Sequence, residues 1–174
     1  MHPRIAELLD YLEAQTGNLR AAFESIPADR RMERPTPDRW SPAEIVHHLA
    51  IIESRVGLRL AKLIEQARAL PPESDTRTLF PMTNATRAEV RDRKLKTPEA
   101  GEPRGTDPTR VWDQLLESRA ALHVVIKSGD GLQLGAVSAP HPYLGDFTAY
   151  EWIAFVGAHA ARHADQIREI AFSA

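Results

Sequence analysis

Apolar side chains recur at intervals of three and four residues through four long segments of this 174-residue chain, and stretches that alternate apolar with polar residues are nearly absent. That spacing matches the 3.6-residue turn of the α-helix and not the period of two that a half-buried strand requires. The chain is therefore read as all-α. The first segment predicts a helix from about Pro3 to Ser25, with Ile5, Leu8, Leu9, Leu12, Leu19, Ala22, Phe23 and Ile26 as its buried stripe and Pro27 at its exit. The second opens on SPAE, where Ser41 can cap, Pro42 suits the first helical position and Glu44 can close a capping box. It is expected to run to about Ala69, before a pair of prolines, with Ile45, Leu49, Ile52 and Val56 inward.

A connector from Leu70 to Thr106 follows, with five prolines and many charges, too long for a simple turn. Fully extended it reaches about 120 Å, against about 43 Å for the second helix, so the third helix can run parallel to the second after a crossover. That third helix is predicted from about Asp107 to Lys127, with Val111, Leu115, Leu122 and Ile126 inward and SGDG ending it. The stretch LQLGAVSAPHPYLG fits a brief hairpin or an irregular loop equally well. The last helix opens on TAYE, a second capping box from Thr148 to Glu151, and runs to about Phe172. Together these make a four-helix bundle with a long crossover between helices 2 and 3, as one domain over residues 1–174.

Composition narrows the chemistry. A net charge of −2 and a pI near 6.4 provide no footprint for a phosphate backbone, so no nucleic-acid partner is expected, and the run RDRKLK reads as a solvated connector. The chain has no cysteine, which removes disulfides, thiolate nucleophiles and cysteine-bound zinc. Any metal must be held by His, Asp or Glu. No apolar run approaches the ~20 residues of a membrane span and the start lacks a signal-peptide core, so a cytoplasmic protein without a membrane partner is expected.

Two histidines interrupt the apolar stripe of the last helix. His159 and His163 share a face with Trp152, Val156, Ile167 and Ile170 at spacing i and i+4, close enough for two imidazoles to converge on one ion. In the second helix His48 sits among Ile45, Leu49 and Ile52, while His47 points about 100° away. Three inward histidines from two helices make a three-nitrogen set with positions left open, the pattern of a catalytic rather than a closed metal site. A lone inward histidine is more often hydrogen-bonded structure than a ligand, and three together without a metal would each need a partner. His2, His123 and His141 read as structural or solvated, although His141, in PHPYLG, can border a pocket.

RWSPAEIVHHLA early in the chain and HPYLGDFTAYEWIAFVGAHAARHADQI near its end together resemble the DinB/YfiT-like superfamily, in particular the DinB-like subgroup with an HP-x-x-G element before the last helix. The resemblance covers nearly the whole chain. It implies a four-helix bundle holding a divalent metal, commonly zinc or nickel, through one histidine of the second helix and an H-x-x-x-H pair of the last, here His48, His159 and His163. It also implies a small-molecule substrate and a homodimer. Members are described as metal-dependent hydrolases, and characterised relatives include thiol-dependent transferases and a mycothiol-dependent isomerase.

The ligands alone do not choose between activating water and activating a low-molecular-weight thiol, since both use an open divalent ion. The glutamate of zinc proteases is missing, because Ala160 follows His159. Glu44, one turn before His48, and Gln166, just after His163, are candidates to orient the ligands, while Trp40, His141 and Tyr143 are candidates to line a pocket. A di-iron bundle is set aside, since EIVH supplies the one E-x-x-H motif where two are required. The alternative kept open is a non-catalytic bundle whose histidines or metal organise an interaction surface.

Overall fold

The structure is a computed structural model that describes residues 1–69 and 97–172. Four helices dominate it: α1 (Pro3–Glu24), α2 (Pro42–Gln66), α3 (Val111–Ser128) and α4 (Ala149–Phe172). Between α3 and α4 lies a two-stranded antiparallel hairpin of β1 (Ser138–His141) and β2 (Gly145–Thr148), in register from Ser138 opposite Thr148 to His141 opposite Gly145. The three-residue loop of that hairpin closes at Gly145, whose φ of 85° lies in the left-handed region where a Cβ is strained. Of the two readings open for this segment, the hairpin is the one the chain adopts. No helix among the described residues is long and apolar enough to cross a membrane.

Both capping boxes form. Ser41 Oγ accepts from Glu44 N at 3.2 Å while Glu44 Oε2 accepts from Ser41 N at 2.9 Å, and Thr148 and Glu151 exchange the same two bonds at 3.2 and 2.7 Å. Two helix boundaries differ from the sequence reading. α2 stops at Gln66 because Ala67 is extended (φ −75°, ψ 139°), and the chain then pairs with the segment before the hairpin through an Ala69–Leu132 bridge. α3 begins at Val111, not Asp107. Asp107 instead closes a single turn, its carboxylate accepting from Thr109 N and its carbonyl from Arg110 N and Val111 N. The rest of the connector, residues 70–96, lies outside the described residues.

Side-chain pairings set the helix directions. Glu53 meets Arg119, and Gly57 faces Leu122, so α2 and α3 run parallel, as the long connector permits. Arg4 lies over Tyr150, Tyr11 against Gly157 and Arg168 against Asn18, so α1 and α4 are parallel too. His48 beside His159 and Arg59 over Trp152 make α2 and α4 antiparallel.

The core has two apolar clusters, one built on Leu8, Leu12, Leu60, Leu122 and Ile153, the other on Leu19, Phe23, Leu49, Leu115 and Ile167. On every helix the residues between the two clusters include polar ones: Thr16 on α1, Glu53 on α2, Arg119 on α3, and His159 with His163 on α4. Arg119 binds Glu53 through Nε and Nη2 at 2.8 and 2.5 Å and donates from Nη1 to Leu12 O and Thr16 Oγ1, both at 2.8 Å. A buried carboxylate is tolerable here because the guanidinium takes both its oxygens. Burial raises the Glu53 carboxyl above its usual range, against the opposing pull of Arg119. On the other side of this polar level stand the histidines.

Candidate metal centre

The capping box fixes where α2 begins, and the helical period then turns His48 inward, to 3% exposure, while His47 stays half-buried with its Nδ1 at 2.9 Å from Thr106 Oγ1. The Trp40 ring packs against His48 with centroids 4.8 Å apart. His48 Nδ1 lies 2.7 Å from the carbonyl oxygen of Gly101, in a short helical turn at Glu99–Gly101. The approach is close, because a Cβ on residue 101 would sit 3.0 Å from Ile52 Cδ1 and 3.1 Å from Thr97 Cγ2, and those side chains would have to give way. A carbonyl accepts only, so the His48 proton is on Nδ1 and its Nε2 carries a lone pair.

The same logic applies on α4. His163 Nδ1 donates to Gln166 Oε1 at 2.9 Å, which leaves its Nε2 unprotonated. His48 Nε2 and His163 Nε2 both point at His159 Nε2, at 3.4 and 3.0 Å. One coordinating atom from each ring lies within 4.8 Å of the others. Burial pushes His48 down to about 4, and burial, then neighbouring imidazoles and Arg162, holds His159 and His163 well below the usual histidine value. At neutral pH all three are neutral, the form that binds metal.

These residues fit a divalent ion. Three neutral imidazoles with converging nitrogens have at most one proton to share at their centre, so their lone pairs face one another, an arrangement a cation relieves. Nitrogens each about 2.0–2.1 Å from one tetrahedral ion stand about 3.3 Å apart, close to the spacings that His159 makes with its two neighbours. The three-histidine group could hold a metal ion, and three ligands leave further positions open.

A cavity of about 260 Å³ opens over the group, lined by Ile52, Val56, Trp152 and Phe155 as well as the histidines. His141 and Tyr143, both anticipated at a pocket, lie on its wall, carried there by the hairpin. The hairpin is tied down by Trp152 Nε1 donating to Ala139 O and Arg59 Nη1 to Pro140 O, at 3.3 and 3.0 Å. Burial, then Arg59, pushes His141 down to about 4, so it too is neutral. Its Nδ1 accepts from Tyr143 N at 3.3 Å, which puts the ring proton on Nε2.

Gln166 holds His163 as an orienting residue should, but Glu44 does not play that part for His48. Its carboxylate is taken by Ser41 N and by Arg34, at 2.9 and 2.5 Å, and Gly101 supplies the His48 partner instead. Burial alone would raise the Glu44 carboxyl, yet hydrogen bonds from Arg34 and Ser41 hold it below its usual value. Trp40 backs the His48 ring and is not part of the cavity wall. Sequence reading missed Gly101 and three arginines on the wall, Arg55, Arg59 and Arg162. The i, i+4 spacing of Arg55 and Arg59 on α2 was the available signal, whereas Gly101 sits in irregular chain where no period applies.

With this geometry in place, comparison with known proteins is decisive on kinship. The family model of the DinB superfamily matches residues 11–167. This chain belongs to the DinB superfamily. A Bacillus subtilis (strain 168) relative, the uncharacterized protein YuaE, is 27% identical over 153 residues, covering 85% of this chain and 87% of its own. No solved structure matches. The family and the all-helical bundle thus agree with the reading of the two sequence anchors, and the three histidines form a group that could hold a metal ion.

Proposed function

We propose that this DinB-superfamily protein is a divalent-metal-dependent enzyme of the cytoplasm that acts on a small molecule, with His48, His159 and His163 as metal ligands and zinc or nickel as the ion. The observation that carries the reading is the convergence of three neutral imidazole nitrogens on the floor of an open cavity. A closed structural site would have a fourth protein ligand and no cavity above it. When bound, the ion supplies Lewis acidity, lowering the pKa of water or of a low-molecular-weight thiol toward neutrality.

Gly101 O and Gln166 Oε1 hold the His48 and His163 rings with Nε2 toward the centre. Ile52, Val56, Trp152 and Phe155 give the cavity apolar surface, and His141 offers an Nε2–H donor from the hairpin. Among the described residues no carboxylate lines the cavity, so the described wall offers no acidic general base for water. This favours a thiol as the activated group, since a thiol once ionised needs no further base and a cationic wall suits a thiolate. Thiol-dependent transfer is accordingly the preferred reaction, with hydrolysis second.

The test is consumption of glutathione, cysteine, bacillithiol or mycothiol against an electrophilic arene by protein loaded with zinc, nickel or manganese. Turnover that requires both metal and thiol and disappears in His159→Ala is expected. Ester hydrolysis without thiol would move the assignment to a hydrolase, and metal binding with neither activity would favour a scaffold role.

A further inference from the structure

One cation on the cavity wall makes no ion pair with any of the described residues. Arg162 stands on α4 beside His163 and between the two histidines of the pair, and its side chain is half-buried on the cavity wall. Its Nε is buried without a hydrogen-bond partner, and among the described residues the guanidinium makes no hydrogen bond or ion pair. Glu169 acts on it only through its charge and is itself 3.6 Å from Arg39 Nη2. A buried donor left without an acceptor is costly, and more so when charged, so a ligand that supplies the acceptor relieves that cost. A metal ion cannot be the missing partner, because it carries the same sign.

The rest of the wall points the same way. Arg55 and Arg59 line the cavity from α2, and among the described residues their hydrogen bonds go to backbone carbonyls, Ala100 O at 2.5 Å and Pro140 O at 3.0 Å, not to carboxylates. No Asp or Glu among the described residues lines the space. Trp152 and Phe155 add flat apolar surface. We infer that the cavity takes a small organic carboxylate, whose oxyanion pairs with Arg162 and whose apolar body lies against Trp152 and Phe155. This names the substrate class of the proposed enzyme and rests on the same cavity, although the anion site needs no metal to exist.

The probes are phenylacetate, its neutral isostere phenylacetamide and inorganic phosphate, titrated calorimetrically into the full-length protein at pH 7.5, both zinc-loaded and chelator-treated. Phenylacetate is expected to bind both forms at least about tenfold more tightly than phenylacetamide or phosphate, the size of one charge-assisted hydrogen-bonded pair. Arg162→Gln should erase that preference and Arg162→Lys should restore part of it, while zinc binding by Arg162→Gln is kept or tightened, since a positive neighbour has been removed. Retained zinc binding also shows that the variant is folded. Equal binding of acid and amide, no binding of either, phosphate as tight as phenylacetate, or a preference that survives Arg162→Gln would each overturn the inference. Loss of zinc binding by the unmutated protein would instead sink the metal-enzyme reading while leaving the anion result intact.

Discussion

At the scale of single residues, adjacent histidines have different fates because one helical step is 100°. His48 Nε2 faces the other imidazoles, whereas His47 is tied to Thr106 on the flank of α2. His48→Ala, His159→Ala and His163→Ala are each expected to abolish or greatly weaken zinc binding, and His47→Ala to leave most of it, as read by isothermal titration of the four variants. The reverse result for His47 and His48 would put the wrong ring in the site. The Glu53–Arg119 pair gives a second test. Glu53→Gln removes the charge from a side chain that is 1% exposed and leaves a buried guanidinium uncompensated, a loss of about 3–5 kcal/mol by denaturant titration. Replacing both partners with apolar residues of similar size should recover much of that loss, because the surviving charge is then gone too.

At the scale of elements, the parallel pair α1 and α4 approaches closely at one point. Gly157 lies against the Tyr11 ring, and a Cβ there would come within 2.6 Å of Tyr11 Cδ1. Alanine normally stabilises an exposed helix interior relative to glycine by roughly 0.5–1 kcal/mol. Here the sign should invert: Gly157→Ala is expected to cost about 1–3 kcal/mol through overpacking, seen as a lower melting temperature. The element boundaries were legible wherever a capping box spelled them out, at Ser41 and Thr148, because the signal is local and lies within four residues. They were misread at Asp107, where an aspartate that accepts from its own turn looks in sequence like the start of the helix that begins at Val111.

At the scale of the whole molecule, stability should follow the protonation of the buried imidazoles. His48 titrates near 4 in the folded metal-free chain and near the ordinary 6.5 once unfolded. Between those values the unfolded state binds more protons, so stability is full above about pH 6.5 and falls as pH drops toward 4, by up to about 1.4 kcal/mol per pH unit for each such group. His159 and His163 are depressed by the same cause and act with the same sign. Thermal melts of the chelated protein from pH 7.5 to 4.5 read this directly, and a flat profile would contradict it. Zinc at about 100 times its dissociation constant should add about 2.7 kcal/mol, or roughly 5–10 °C in melting temperature, and a chelator should reverse the gain.

By itself the sequence determined the helices, their buried stripes and the three histidines, because each follows from a period of 3.6 residues or from a cap within one turn. It also carried the family, through two anchors more than 90 residues apart that the match over residues 11–167 joins. Only the tertiary structure decided what completes the site. Gly101 reaches His48 from irregular chain 53 positions away, and Arg119 joins Glu53 across 66, contacts that no local pattern encodes. Arg162 is the sharpest case, since in sequence it is one more charged residue on an amphipathic helix. Packing of α4 against α2 beneath the hairpin turned it into a half-buried cation facing a cavity that no carboxylate of the described residues lines, because burial and partnership are properties of the assembled faces and not of the segment that bears them.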